Sequence, residues 1–187
     1  GTAAAGHDNA QSLAHAYAHA SAISALGFVH NTEEIQVVAM GGMTTANAGA
    51  DSNSLAFGID TSGEVNNAGE IALRARGGTA DANGIANANS VAYAIHAGWD
   101  VNNVGGIAVV ARGGTADANG TADASTSTFT IYTGRDINNA GDLAVAASGG
   151  SADSNGIAYA NVYAQGLYTT GRVVNVGDIE MTATAGE

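Results

Sequence analysis

Shifted against itself by 36 residues, the chain matches along its whole length. Val65 to Asp100 reads VNNAGEIALRARGGTADANGIANANSVAYAIHAGWD, and Val101 to Asp136 reads VNNVGGIAVVARGGTADANGTADASTSTFTIYTGRD. Ile137 to Arg172 opens INNAGDLAVAASGGSADSNGIAYA, while Val29 to Glu64 is a more divergent copy that keeps Gly41-Gly42 and Ile59 in step. Gly1 to Phe28 reads as the last 28 positions of a copy and Val173 to Glu187 as the first 15. The expectation is one domain over residues 1–187, made of a partial repeat 1–28, repeats 29–64, 65–100, 101–136 and 137–172, and a partial repeat 173–187. An uninterrupted repeat forces every copy into the same supersecondary unit, buried against its neighbours.

The period inside each copy decides what that unit is. Ile71, Leu73 and Ala75 alternate with Ala72, Arg74 and Arg76; Ile107, Val109, Ala111 and Leu143, Val145, Ala147 repeat the pattern. After Gly77-Gly78, Ala80, Ala82, Gly84, Ala86 and Ala88 alternate with Thr79, Asp81, Asn83, Ile85 and Asn87. Alternation at period two is the signature of strands, and helical repeats of this length carry Leu-rich faces at period 3.6. Stacked about 4.8 Å apart, such copies give an all-β fold, a β-solenoid (parallel β-helix) of 36-residue repeats with a thin Ala/Gly-rich core. Its columns include Ile23, Ile59, Ile95, Ile131 and Leu167. The column through Thr79 reads His7, Met43, Thr79, Thr115, Ser151, too irregular for an ice-binding Thr ladder. Gly77-Gly78, Gly113-Gly114 and Gly149-Gly150 read as corners needing positive φ. Asn67-x-Gly69, Asn103-x-Gly105, Asn139-x-Gly141 and Asn175-x-Gly177 read as a second corner where Asn side chains hydrogen-bond between coils. Whether 36 residues form one coil or two unequal ones stays open. In the head, Asp8 to Gly27 has a helix alternative with an Asp cap and a terminal Gly; its Ala register favours strand.

Composition narrows the function classes. There is no Cys and no Pro, which excludes disulfides, Cys-ligated metal and thiol chemistry. Five Arg and no Lys against 17 acids give a charge of -12, so nucleic acid is not an expected partner. No apolar run approaches 18 residues, so no membrane-inserted helix is expected. Gly1 follows no Met or signal-like run, which reads as a processed chain or a piece of a longer one. The lack of Cys fits a secreted bacterial protein.

In V-N-N-x-G-x-I-x-V-x-A, followed by G-G-x-A-x-A-N-G and an Ala-alternating stretch, the chain resembles the repetitive regions of very large bacterial surface proteins of the autotransporter-passenger type. That resemblance implies an elongated, extracellular or cell-surface, bacterial and non-enzymatic protein.

Three groups of side chains are candidate sites. Asp81, Asp117 and Asp153, beside Asn83, Asn119 and Asn155, form a column of oxygens of the kind calcium takes. Gly-Gly-x-Ala-Asp departs from the calcium nonapeptide Gly-Gly-x-Gly-x-Asp, because its Asp falls one place early. No other cofactor is expected. Tyr159, Tyr163 and Tyr168 form a candidate glycan-binding ladder. His15 and His19, with His7 nearby, would share a face on a helix but sit about 13 Å apart on a strand, too far for one ion. No catalytic constellation emerges from the repeat, and the breaks at Trp99, Arg135 and Arg172 form no recognisable arrangement. An enzyme is not expected.

The ends carry the functional expectation. Gly1, Thr2, Ala3, Ala4 and Ala5 share repeat positions with Met181, Thr182, Ala183, Thr184 and Ala185, so head and tail complete one coil with a seven-residue overlap. Open solenoid edges pair with further strands unless capped. The chain is therefore expected to be an extracellular structural protein whose partner is itself, a homopolymer joined head to tail. The alternative is a passenger fragment of an adhesin that binds glycan or surfaces.

Overall fold

A computed structural model describes residues 12–187 and the backbone of 2–4. The described elements are 25 strands in five parallel sheets of five, with no helix among them. Following the chain, the first sheet holds Val29–Asn31, Val65–Asn67, Val101–Asn103, Ile137–Asn139 and Val173–Asn175. The second holds Ile35–Met40, Ile71–Arg76, Ile107–Arg112, Leu143–Ser148 and Ile179–Thr184. The third holds Thr2–Ala4, Met43–Ala46, Thr79–Ala82, Thr115–Ala118 and Ser151–Ser154. The fourth holds Leu13–His15, Gly49–Asp51, Ile85–Asn87, Thr121–Asp123 and Ile157–Tyr159. The fifth holds Ala18–Ala25, Ser54–Thr61, Ser90–Ala97, Thr126–Thr133 and Val162–Thr169.

From Leu13 onward every strand pairing joins residues 36 positions apart, as Ile71 and Ile107, so the repeat is one coil. The described part of the head is strand, which settles the helix alternative from Ser12 onward. The same register carries Ile23, Ile59, Ile95, Ile131 and Leu167 into one column.

The coil has two lobes with different cores. Between the first, second and fifth sheets lies an aliphatic core of Val65, Ile71, Leu73, Ile95 and their column mates in the inner coils, all buried, with Ile23 and Leu167 packed against it partly buried. Between the third and fourth lies a core of Ala80, Ala82, Ala86, Ala88 and their equivalents. An Ala methyl contributes far less on burial than the roughly 1.5–3 kcal/mol of an Ile or Leu, so the aliphatic lobe carries most of the apolar stabilisation. In the fifth sheet both Ala94 and Ile95 face inward, and position 94 drops out of the pairing with the neighbouring coils. That phase shift turns Tyr93 and His96 outward on one face, three residues apart.

The Gly pairs are not positive-φ corners, for no described residue has positive φ. They lie where the lobes meet and the two walls touch. Gly78 N–H donates to the Ser52 carbonyl at 2.8 Å, Gly114 to Ala88 at 2.7 Å and Gly150 to Ala124 at 2.8 Å. A Cβ on Gly77 would collide with the Ala88 carbonyl, and one on Gly113 with that of Ala124. Close approach of backbone to backbone, rather than an unusual dihedral, therefore requires Gly here.

The head departs from the uniform period. Thr2 pairs with Met43, five residues out of step, whereas Leu13 pairs with Gly49 on the 36-residue register. The extra residues fall between the two strands. Thr2 takes the place opposite Met43 that the 36-residue period assigns to His7, and His7 itself lies outside the described residues.

Candidate functional site

The Asn-x-Gly corner is the most completely satisfied polar feature. Asn31, Asn67, Asn103 and Asn139 each donate from Nδ2 to the Oδ1 of the next coil's Asn, at 2.7, 2.7, 2.7 and 2.6 Å. The second amide hydrogen goes to a carbonyl two residues on, as from Asn67 to Gly69 at 2.8 Å. The ladder is buried through Asn139. Every buried donor finds an acceptor, which makes the corner a structural seam.

The Asp column is present: Asp81 pairs with Asp117 and Asp117 with Asp153, all on the exposed face of the third sheet. The adjacent Asn residues spend their amides on one another, Asn119 on Asn83 and Asn155 on Asn119, each at 2.8 Å. Among the described residues no group of three or more His, Cys, Asp or Glu side chains converges as an ion site.

The three tyrosines do not share a ladder. Tyr159 lies on the fourth sheet in the column of Asp123, whereas Tyr163 and Tyr168 lie on the fifth, opposite Ser127 and Tyr132. The fifth sheet instead carries two aromatic columns. Phe57, Tyr93 and Phe129 stack at 5.1 and 4.7 Å, and Tyr132 stacks on Tyr168 at 4.8 Å. His96 joins them, 5.2 Å from the Tyr132 ring and 2.7 Å from Asp60 Oδ1. Tyr93 has its phenol pushed above the usual tyrosine range by burial and secondarily by Tyr132. Parallel in-register stacking covers the ring faces with neighbouring rings and leaves edges toward solvent.

His15 and His19 are separated onto the fourth and fifth sheets. His15 Nδ1 lies 2.7 Å from Asp51 Oδ2, and the Tyr17 hydroxyl donates to the same oxygen at 3.2 Å. Burial, then the Asp51 charge and hydrogen bond, raise the Tyr17 pKa. His19 packs against Phe57 instead. Trp99 and Arg135 form a cation–π pair at 4.5 Å across adjacent coils.

The outer face of the second sheet holds what the sequence reading passed over. Arg74, Arg76 and Arg112, three of the chain's five cations, line an open groove of about 520 Å³ with Val38, Met40 and Val110. Arg76 and Arg112 are direct cross-strand partners. Among the described residues no ion pair involves an Arg. The available signal was the concentration of cations on two adjacent copies of one strand.

At the carboxyl-terminal edge the core columns run into solvent. Val173, Ile179 and Met181 are 46%, 42% and 41% exposed, while their neighbours one coil back, Ile137, Leu143 and Val145, are buried. The last partial coil supplies strands to the first and second sheets, and the first partial coil supplies the third, fourth and fifth. Thr2 falls in the column that Glu187 reaches beside Gly150 and Ala152. The expected seven-residue overlap is thus absent: Thr2, Ala3 and Ala4 do not share columns with Met181 through Ala185. Gly1 and Ala5 lie outside the described residues.

Comparison with protein-family models, curated proteins and solved structures gives no match to this chain.

Proposed function

We propose that the protein is an extracellular structural subunit that stacks head to tail into filaments, each junction completing one coil. The observation that carries this reading is the complementarity of the two partial coils, one ending in the first and second sheets and the other supplying the remaining three. Stacking them would cover the exposed Val173, Ile179 and Met181 columns and extend the parallel ladders by β-augmentation. With the overlap gone, the junction is an end-on abutment with no strand exchanged between subunits. Extracellular placement rests on the resemblance to bacterial surface repeats and on the Cys-free composition.

The adhesin alternative draws on the aromatic columns of the fifth sheet. It is the weaker reading because sugars stack on ring faces, and the faces of Tyr93, Phe129 and Tyr132 are covered by other rings.

Negative-stain microscopy at neutral pH, with calcium and with chelator, tests the proposal. Uniform thin filaments support it, and their loss in chelator assigns an ion to the junction or the Asp column. Short monomeric rods in both conditions overturn it in favour of a fragment of a longer adhesin.

A further inference from the structure

The wall formed by the second and third sheets carries two like-charge columns on its outer face. Arg76 pairs with Arg112 on one side of the Gly furrow; Asp81 pairs with Asp117 and Asp117 with Asp153 on the other. Like charges directly opposite in a ladder are destabilising. Neither column relieves the other within the chain: among the described residues no Arg–Asp ion pair forms, and Asp81 lies five residues beyond Arg76 across the non-strand Gly77-Gly78, about 16 Å at an extended rise against a Debye length of about 8 Å at physiological salt. A net charge of -12 makes an unpaired cation cluster the more conspicuous.

We infer that this wall pairs side by side with the same wall of a second copy. A two-fold axis parallel to the solenoid axis and running through the Gly furrow keeps each coil level with its counterpart and exchanges the two sides. Arg76 then meets the second copy's Asp81, and Arg112 its Asp117, with both contacts repeated by symmetry. Arg74 falls against Asn83, Ser148 against Asp153, and Met40 against Thr45, so no like charges oppose one another. The outward column of Met43, Thr79, Thr115 and Ser151 settles over the other copy's Gly pairs, where no side chain stands in the way. Such a contact is isologous and closes at two copies.

The size of the face fits a stable dimer. From Ala72 to Asn83 the wall spans about 36 Å, and four coils rise about 19 Å, giving about 700 Å² per copy against the roughly 800 Å² of a standard interface. Exposed ion pairs are individually weak, so Val38, Met40 and Met43, each more than half exposed, supply the apolar part. A polyanionic ligand is the competing occupant of the Arg side. It leaves the Asp column without a partner, whereas a second copy satisfies both columns at once.

A charge swap read by sedimentation velocity decides between them. The wild type is expected to form a discrete, salt-sensitive dimer. R76D/R112D alone and D81R/D117R alone should each associate at least ten-fold more weakly, with unchanged far-UV dichroism because all four sites are exposed. An equimolar mixture of the two variants should recover a dimer, since each reversed column then faces its opposite. A wild type that stays monomeric at low salt, variants that still dimerise, or a mixture that fails to recombine overturns the inference; so does a monomeric wild type retained on heparin. The inference does not depend on end stacking. If filaments form, wild-type filaments should be two solenoids wide and R76D/R112D filaments one, whereas failure of end stacking removes length and leaves the dimer.

Discussion

Asn103 donates one amide hydrogen to Asn139 Oδ1 at 2.7 Å and another to the Gly105 carbonyl at 2.8 Å, while its own Oδ1 accepts from Asn67 at 2.7 Å. The residue is fully buried, so both donors and the acceptor are needed at once. A carboxylate of the same shape has no hydrogens to give and would set its charge against two acceptors. Asn103→Asp should cost about 3–5 kcal/mol in urea unfolding, the range for an uncompensated buried charge. Asn175→Asp, at the exposed end of the ladder, should cost under about 1 kcal/mol. Equal costs at the two positions would mean that the ladder is not a buried seam.

Gly113→Ala separates close approach from backbone strain. Its φ suits Ala, yet the added methyl would strike the Ala124 carbonyl, so a loss of about 2–3 kcal/mol and a lower melting temperature are expected. Gly106→Ala is the control. Its nearest neighbour to a Cβ is 4.0 Å away, so it should be neutral or stabilising by up to about 1 kcal/mol through reduced freedom of the unfolded chain.

Three buried hydroxyls of the fifth sheet have no partner among the described residues, Ser54 Oγ, Thr128 Oγ1 and Thr130 Oγ1. Thr128 occupies the column of Ala92 and Ala164, and a buried unpaired hydroxyl costs on the order of 1–3 kcal/mol. Thr128→Val and Thr130→Val keep the shape and remove that cost. Each should stabilise by about 1 kcal/mol, raising the melting temperature by roughly 2–4 °C for a chain of this size. Calorimetry of the single variants checks it, and a lower transition would mean that the hydroxyls are satisfied in solution.

Tyr93 should ionise above the ordinary tyrosine value of about 10, because burial and then Tyr132 raise its pKa. The raised value favours the protonated ring in the folded state. Its contribution to stability is therefore complete below about pH 10 and is lost as pH rises toward the folded-state pKa. Absorbance titration at alkaline pH should show a late class, to which Tyr17 also contributes, whose amplitude falls in Tyr93→Phe. A variant titrating identically to the wild type assigns the late class elsewhere.

The repeat made the core legible. Columns such as Ile71, Ile107 and Leu143 follow from identity at a fixed spacing, and the inter-coil Asn contacts follow from a polar side chain recurring beside an invariant turn. The Gly pairs misled because adjacent glycines look alike at a corner and at a pinch. What separates the two is the carbonyl of Ala88 across the coil, invisible in the local sequence. In the head, Thr2-Ala3-Ala4 sits among small residues that fit a ladder at many shifts, so nothing in its side chains announces the five-residue slip. The Arg groove was hidden differently. Arg74, Arg76 and Arg112 look like ordinary outward positions of an alternating strand until the coils are stacked and the cations found together.

The single 36-residue register from Leu13 onward makes length an editable property of the molecule. Excising Val65 to Asp100 would join Glu64 to Val101, whose column is already that of Val65, so the splice leaves every side chain facing as before. Removing any other small number of residues would move Ile107 and everything after it off its column. Duplication and deletion in whole coils thus shorten or lengthen the rod without redesigning its cross-section, and the rod can vary in length far more freely than in shape.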